Sequence, residues 1–339
     1  MASTLKLTGI KHPSSDVAAI TVGSDNSVSI VGGALSPQTG FKNRIINGGM
    51  TIWQRGTTFA AASTGLYTAD RWQTTVAGTS LNLTVTQSTS VPSVDYLYSL
   101  QFQQVTNAAT SVTEYAARQR FELANVRDLA GKIVTVSFWY RSNVVGTHGV
   151  RILPLGTTGG VDTSVAITVS AANTWEFKTV TTTALSALTS WGSTADNAVA
   201  LILDVGLRVN AVGQTTINTN DYFNVTQVQL EKGSTATPFE FRSIGTELGL
   251  CQRYFWKSIS GTNFFVYGYQ GSGGVIYMDI PNPVWMRANP SVVLGNFSNL
   301  NASNATVNSP TTQRIRVQST ITSTGGGFST FSIDTSSEL

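Results

Sequence analysis

The chain has 339 residues, enough for two or three domains and a sizeable core. Charged residues make up 12%, about half the roughly 25% usual for soluble proteins, while 41% are hydrophobic. That balance excludes intrinsic disorder, and a formal charge of +3 without a block of like charges argues against a nucleic-acid partner. The nearest basic candidate, Arg314 and Arg316 in QRIRVQ, alternates like an exposed strand edge.

Residues 1–40 are small and polar, with brief alternating runs at Leu5, Leu7 and Gly9, at Ile20 and Val22, and at Val28 and Ile30. The last two flank SDNS, a turn-type sequence. A hairpin this small buries too little to stand alone, so an arm that docks or oligomerises is preferred here over a flexible tail. Ser36 to Gly40, with Pro37, reads as a linker, and the start MASTLKLTGIKH has no signal-type apolar run, which predicts synthesis in a cytoplasm.

Residues 41–243 carry a sustained period of two, the pattern of antiparallel sheets buried on one face. Asn47-Gly48-Gly49 predicts a turn or bulge. Strands are predicted around Leu81 to Val85, Leu100 and Phe102, Tyr115 to Leu123, Val134 to Tyr140, Trp175 to Lys178, Val199 to Leu207, and Tyr222 to Glu231. Eight to ten strands with almost no helix predict an all-β chain built on a β-sandwich, with a count suited to a jelly roll.

Gly233 and Pro238 then take the chain out of the sheet. One helix is predicted over about 246–256, with Thr246 as N-cap, Glu247 in the first turn, and Leu248, Cys251 and Phe255 on one face. It would link the sandwich to a small C-terminal β domain within 244–339. The single cysteine, Cys251, excludes an internal disulfide and reads as a small buried hydrophobe. No apolar run reaches eighteen residues, so no membrane-spanning helix is expected.

Catalytic signals are sparse. Only His12 and His148 exist, both in turn-like contexts that predict exposure, and no triad, zinc or phosphate-loop motif is present. Glycoside hydrolysis needs only two carboxylates, for which Asp70, Glu114, Glu122, Glu176, Asp204 and Glu231 are candidates that sequence cannot bring together. Binding is better supported: Phe264, Phe265, Tyr267, Tyr269, Tyr277 and Trp285 lie among Gly, Asn and Ser, and aromatic faces hold the C–H surfaces of sugars. Of these, Tyr267, Tyr269, Tyr277 and Trp285 are the candidate glycan- or receptor-binding residues, weighed against core roles for alternate members such as Phe264 and Tyr277. Trp53, Tyr67 and Trp72 read as core or domain-closing residues, and Asp70 with Arg71 predicts an ion pair to Arg242 or Glu231.

Two runs carry a family resemblance. QLEKGSTATPFEFR…ELGLCQRYFWK and NRIINGGMTIWQRGTTF…YTADRW bracket residues 43–257 and resemble segments of tailed-bacteriophage tail-fibre and receptor-binding proteins. Within them Trp53, Arg55, Asp70, Arg71, Trp72, Glu231, Arg242 and Cys251 are expected to serve structure. The resemblance implies a carbohydrate-binding-module type of jelly roll and a non-enzymatic virion protein, released by lysis, that attaches to host cell-surface polysaccharide. It implies an N-terminal arm joined to other tail proteins and no cofactor, while low charge and a thin C-terminal core favour a homotrimer, burying surface against copies of the chain. Calcium is compatible with such jelly rolls, although no DxDxDG loop supports it. Alternatives are a head-fibre or capsid-decorating protein and, less favoured, a polysaccharide depolymerase.

Overall fold

The computed structural model describes residues 9–10, 20–22, 28–30, 33–34, 41–156, 163–192, 195–258 and 263–339. The chain divides into two units, Met1–Lys42 and Asn43–Leu339. In the first, β1 (Gly9–Ile10), β2 (Ile20–Val22), β3 (Val28–Ile30) and β4 (Gly33–Ala34) form one antiparallel sheet in that order. Ile20 pairs with Ile30 and Val22 with Val28, as the alternation predicts. Leu5, Leu7, His12, the SDNS turn and the linker lie outside the described residues.

The second unit opens with β5 (Thr58–Phe59), β6 (Gln73–Thr79), β7 (Leu83–Ser88), β8 (Ser99–Gln104) and β9 (Thr110–Glu122). After a short helix, α1 (Leu123–Val126), come β10 (Val134–Ser142), β11 (Gly146–Pro154), β12 (Thr163–Val169) and β13 (Glu176–Thr181). β14 (Val199–Val209), β15 (Val212–Gly213) and β16 (Tyr222–Lys232) complete the set. They stack as two antiparallel sheets, ordered β13-β10-β16-β8-β7-β5 and β12-β11-β14-β9-β6. The chain is all-β and builds a β-sandwich, as its period of two requires.

Alternation places the core. Val134, Val136, Phe138 and Tyr140 of β10 face Leu201, Leu203, Val205 and Leu207 of β14, all buried. Phe223 stacks between Phe102 at 4.8 Å and Tyr140 at 5.5 Å, centroid to centroid. Burying each such ring contributes roughly 1.5–3 kcal/mol. On the outer face of the β14 sheet, which β15 also joins, one cross-strand row holds Arg118, Asp204 and Arg151, where Asp204 accepts from both guanidinium groups at 2.7 and 2.5 Å.

The helix departs from its predicted bounds. α2 runs Ile244–Gln252, and its N-cap is Ser243, whose Oγ accepts the Thr246 N–H at 3.3 Å. Thr246, the expected cap, therefore sits inside the first turn. The helix also stops early, because Phe255–Lys257 leaves as strand β17 and pairs with residues 334–336. Aromatic residues fit a pleated surface, and an available strand edge outcompetes another helical turn. Leu248 and Cys251 do dock as expected, on Ile46, Ile52 and Tyr254.

Six further strands follow: β18 (Phe264–Gln270), β19 (Val275–Pro281), β20 (Ser291–Leu300), β21 (Thr306–Pro310), β22 (Arg314–Thr320) and β23 (Gly325–Ser336). One sheet is ordered β17-β23-β18 with β20 on the other edge of β23; the second is β19-β22-β21. Val266, Phe331 and Ile333 of the first meet Ile276, Ile280, Ile315 and Val317 of the second in a small core. This too is a sandwich, so each sheet has one outer face.

Candidate functional site

The two runs singled out in the sequence close on each other. Arg44 N–H donates to Leu230 O at 2.9 Å, and the Asn43 side chain to Val228 O at 3.2 Å. Arg242 donates to Ile45 O at 2.9 Å and to Asn43 O. Asn47 is fully buried in a left-handed conformation, and its amide serves four backbone groups, accepting from Thr51 and Ile52 and donating to Ile52 and Asp70. Trp72 donates its indole N–H to Asn47 O at 3.1 Å from a fully buried position. Trp53 donates to Met50 O and packs beside Phe59.

The expected partners of Asp70 and Arg71 are corrected. Asp70 meets Arg55 at 3.8 Å and the Gln54 side chain and N–H; burial raises its carboxyl pKa, against the pull of those partners. Arg71 pairs with Glu338, which also takes Arg55 at 3.1 Å. Its guanidinium lies 3.5 Å over the Tyr254 ring, and that of Arg55 lies 3.6 Å over Phe255. Glu231 instead accepts from Thr237 and Gln229, and Arg242 pairs with Glu240 and Glu247. Pairing across 267 residues, from Arg71 to Glu338, leaves no local signal in a sequence. Cys251 is buried, and burial pushes its thiol well above the ordinary range, the setting of an inert structural thiol.

The four candidate binding aromatics are all exposed, but they do not form one surface. Tyr267 and Tyr269, 72% and 77% exposed, point outward from β18. Tyr277, 56% exposed, lies on the outer face of the opposite sheet, next to Asp279, which Arg314 and Arg316 clamp at 2.5 and 2.8 Å. Those hydrogen bonds, Arg316 first, bring the Asp279 carboxyl down to about 2. Trp285 stands in the loop after β19, where its carbonyl accepts from Arg253 at 3.3 Å. Phe264 is half-buried against Phe331, and Tyr277 is not core.

Around Tyr267 the register builds a row. Leu300, Phe328 and Tyr267 are direct cross-strand partners over β20, β23 and β18, and the next row is Ser298, Thr330 and Phe265. Phe265 lies 4.9 Å from Phe328 and 5.6 Å from Tyr267, ring to ring. Leu300 and Phe265 are exposed and Phe328 is half-buried, so this face offers three aromatic rings and a leucine beside two hydroxyl side chains. Phe328 was legible: it differs in parity from Phe331 and Ile333, so a strand that buries those two must turn Phe328 outward. Leu300 was not, because the bulge between Gly295 and Ser298 shifts its face.

A second aromatic surface lies on the outer face of the sheet that holds β10 and β16. Trp139 and Phe177 are cross-strand partners with rings 5.5 Å apart, and the row beside them holds Arg141, Asn224, Gln101 and Thr86. Arg141 reaches over the Tyr222 ring at 5.4 Å.

The carboxylates weighed for hydrolysis are held by neighbours. Glu122 takes Arg253 at 2.8 Å, Glu114 takes Arg151 at 3.2 Å, and Glu176 takes Lys178 and two backbone N–H groups. His148, expected at the surface, is instead fully buried on β11 with Nδ1 3.0 Å from the Tyr140 hydroxyl. The run VVGTHG starts the strand rather than a turn, because β11 pairs from Gly146 onward. Among the described residues, no three His, Cys, Asp or Glu side chains converge as a metal site would need.

No protein-family profile matches the chain, and no curated protein does. Among solved structures it is similar to the enzymatically active domain of tailspike protein 4 from bacteriophage CBA120, with a TM-score of 0.36 and 16% identity over 57% of this chain. That match spans 22% of the tailspike chain. The carbohydrate-binding module TmCBM61, solved with beta-1,4-galactotriose, gives a TM-score of 0.34 and 13% identity over 57% of this chain and 100% of its own. The family 11 carbohydrate-binding module of Lic26A-Cel5E from Clostridium thermocellum gives 0.30 and 10% over 53% and 99%.

Proposed function

We propose that the protein is a non-enzymatic phage virion protein of tail-fibre type that attaches to host cell-surface glycan. The outer face of β20, β23 and β18 supports this reading most directly. Phe265 and Tyr267 lie exposed side by side against a half-buried Phe328, with Leu300 extending the row. Clustered exposed aromatics on a rigid sheet mark an interaction site rather than scattered surface residues. Rings can lie against the C–H faces of sugar units, while Thr330 and Ser298 offer hydroxyls at the spacing of the strands. The sequence resemblance of residues 43–257 to phage fibre proteins supplies the virion setting.

Affinity for purified host envelope polysaccharide tests the reading. The Tyr267→Ala/Tyr269→Ala pair is expected to weaken binding about tenfold or more, the scale of losing an aromatic hot spot. Both residues are exposed, so the fold should stay intact. Unchanged affinity in that variant, with loss in Trp139→Ala instead, would move recognition to the sandwich face.

A further inference from the structure

A cavity of about 210 Å³ opens beside β16 of the large sandwich, away from the aromatic row just described. That is room for roughly seven waters at about 30 Å³ each. Four segments wall it: residues 43–51, 95–97 and 239–247, and Gln227 of β16.

Part of the lining is aromatic. Tyr96 stacks on Phe241 at 6.1 Å, and Phe239 meets Phe241 edge-on at 5.1 Å. Its charged lining carries more carboxylates than cations: Asp95, Glu240 and Glu247 against Arg242. Arg242 is engaged by Glu240 at 3.2 Å and Glu247 at 3.4 Å, while Asp95 accepts from Ser93 Oγ at 3.0 Å.

Gln227 is the residue without an internal explanation. It is 4% exposed, and its buried Oε1 has no hydrogen-bond partner. Leaving such an acceptor unmatched costs about 1–3 kcal/mol. Its backbone is left-handed, at φ 54°, where β16 loses register against β10. The strand thus gives up ladder regularity at the position that puts this amide on the cavity wall.

We infer that the cavity is a binding site for a compact protonated amine, such as an aminohexose unit. An ammonium group supplies the donor that Gln227 Oε1 lacks and the charge that faces Asp95. Aromatic faces attract cations, and the rings can also cover the C–H surface of a small sugar ring. An anionic ligand would meet Asp95 and Glu247 with like charge. This inference does not depend on the aromatic row binding glycan.

Calorimetric titration of the full chain in mildly acidic buffer tests it, with glucosamine, N-acetylglucosamine, glucose and Nα-acetyl-lysine amide as probes. Glucosamine is expected to bind about tenfold more tightly than its acetylated and neutral counterparts. Asp95→Asn and Phe241→Ala, both at exposed positions, each reduce that preference, as does Gln227→Asn, which tolerates the left-handed backbone but withdraws the acceptor. Stronger binding of the lysine probe than of glucosamine would support the amine and assign its source to a protein side chain. Equal binding of glucose, affinity unchanged in all three variants, or no binding of either amine at millimolar concentration would overturn the inference.

Discussion

His148 shows how one residue couples the fold to pH. Burial brings its pKa down to about 4 against the upward pull of a Val144 backbone bond, while Lys178 adds a smaller downward pull and Glu176 a smaller upward one. The folded chain therefore keeps the ring neutral, whereas the unfolded chain takes up a proton near pH 6.5. Between those two values the unfolded state binds more protons, so stability falls as pH falls from about 6.5 to about 4. The loss amounts to about 2–3 kcal/mol. Thermal melting across that window should show it, and His148→Gln, which keeps a partner for Tyr140, should flatten that part of the profile. An unchanged profile would mean that the acid sensitivity resides elsewhere.

At the scale of elements, period-two patterning read strands such as β10 and β14, because one buried face forces alternation, but it did not single out β6, β11 or β12. Leu201 to Leu207 and Val134 to Tyr140 are buried on the faces their spacing assigns, while Val199 is half-buried. What escaped were features decided by distant pairing. Phe255 fits a helical stripe by spacing, but the edge of β23 takes it as a strand. The Asn47-Gly48-Gly49 turn was legible as a turn, yet its tightness comes from β16: a Cβ on Gly48 would lie 2.2 Å from Val228 O. Gly48→Ala is expected to cost about 1–3 kcal/mol by overpacking. Gly245, near the start of α2, has open space around it, so Gly245→Ala should be neutral or slightly stabilising. Urea midpoints for the two variants would check this; equal midpoints would contradict the steric account.

At the scale of the whole molecule, β17 and Glu338 tie the C-terminal sheets to the residues beside the sandwich. Arg71 and Arg55 both pair with Glu338, and Arg253 pairs with Glu122. Deleting residues 258–339 would leave the Arg71 guanidinium buried without its carboxylate, and breaking such a pair costs about 3–5 kcal/mol. Point variants therefore locate the binding surface more cleanly than truncation. The candidate site was partly legible: composition and spacing pointed to Tyr267 and Tyr269, but only the sheet order could separate them from Tyr277, which the small core puts on the opposite side. The proposed homotrimer, argued from low charge and a thin terminal core, predicts a solution mass near three times 36.1 kDa by light scattering, and a mass of one chain would contradict it.

Binding of labelled protein to intact host cells, before and after periodate oxidation of their surface sugars, tests the central claim most directly. Recognition of glycan by exposed aromatic rings predicts saturable binding that falls strongly after oxidation and is weakened by Tyr267→Ala/Tyr269→Ala on untreated cells. Binding that survives oxidation at full strength, or cells that never bind the protein, would contradict it.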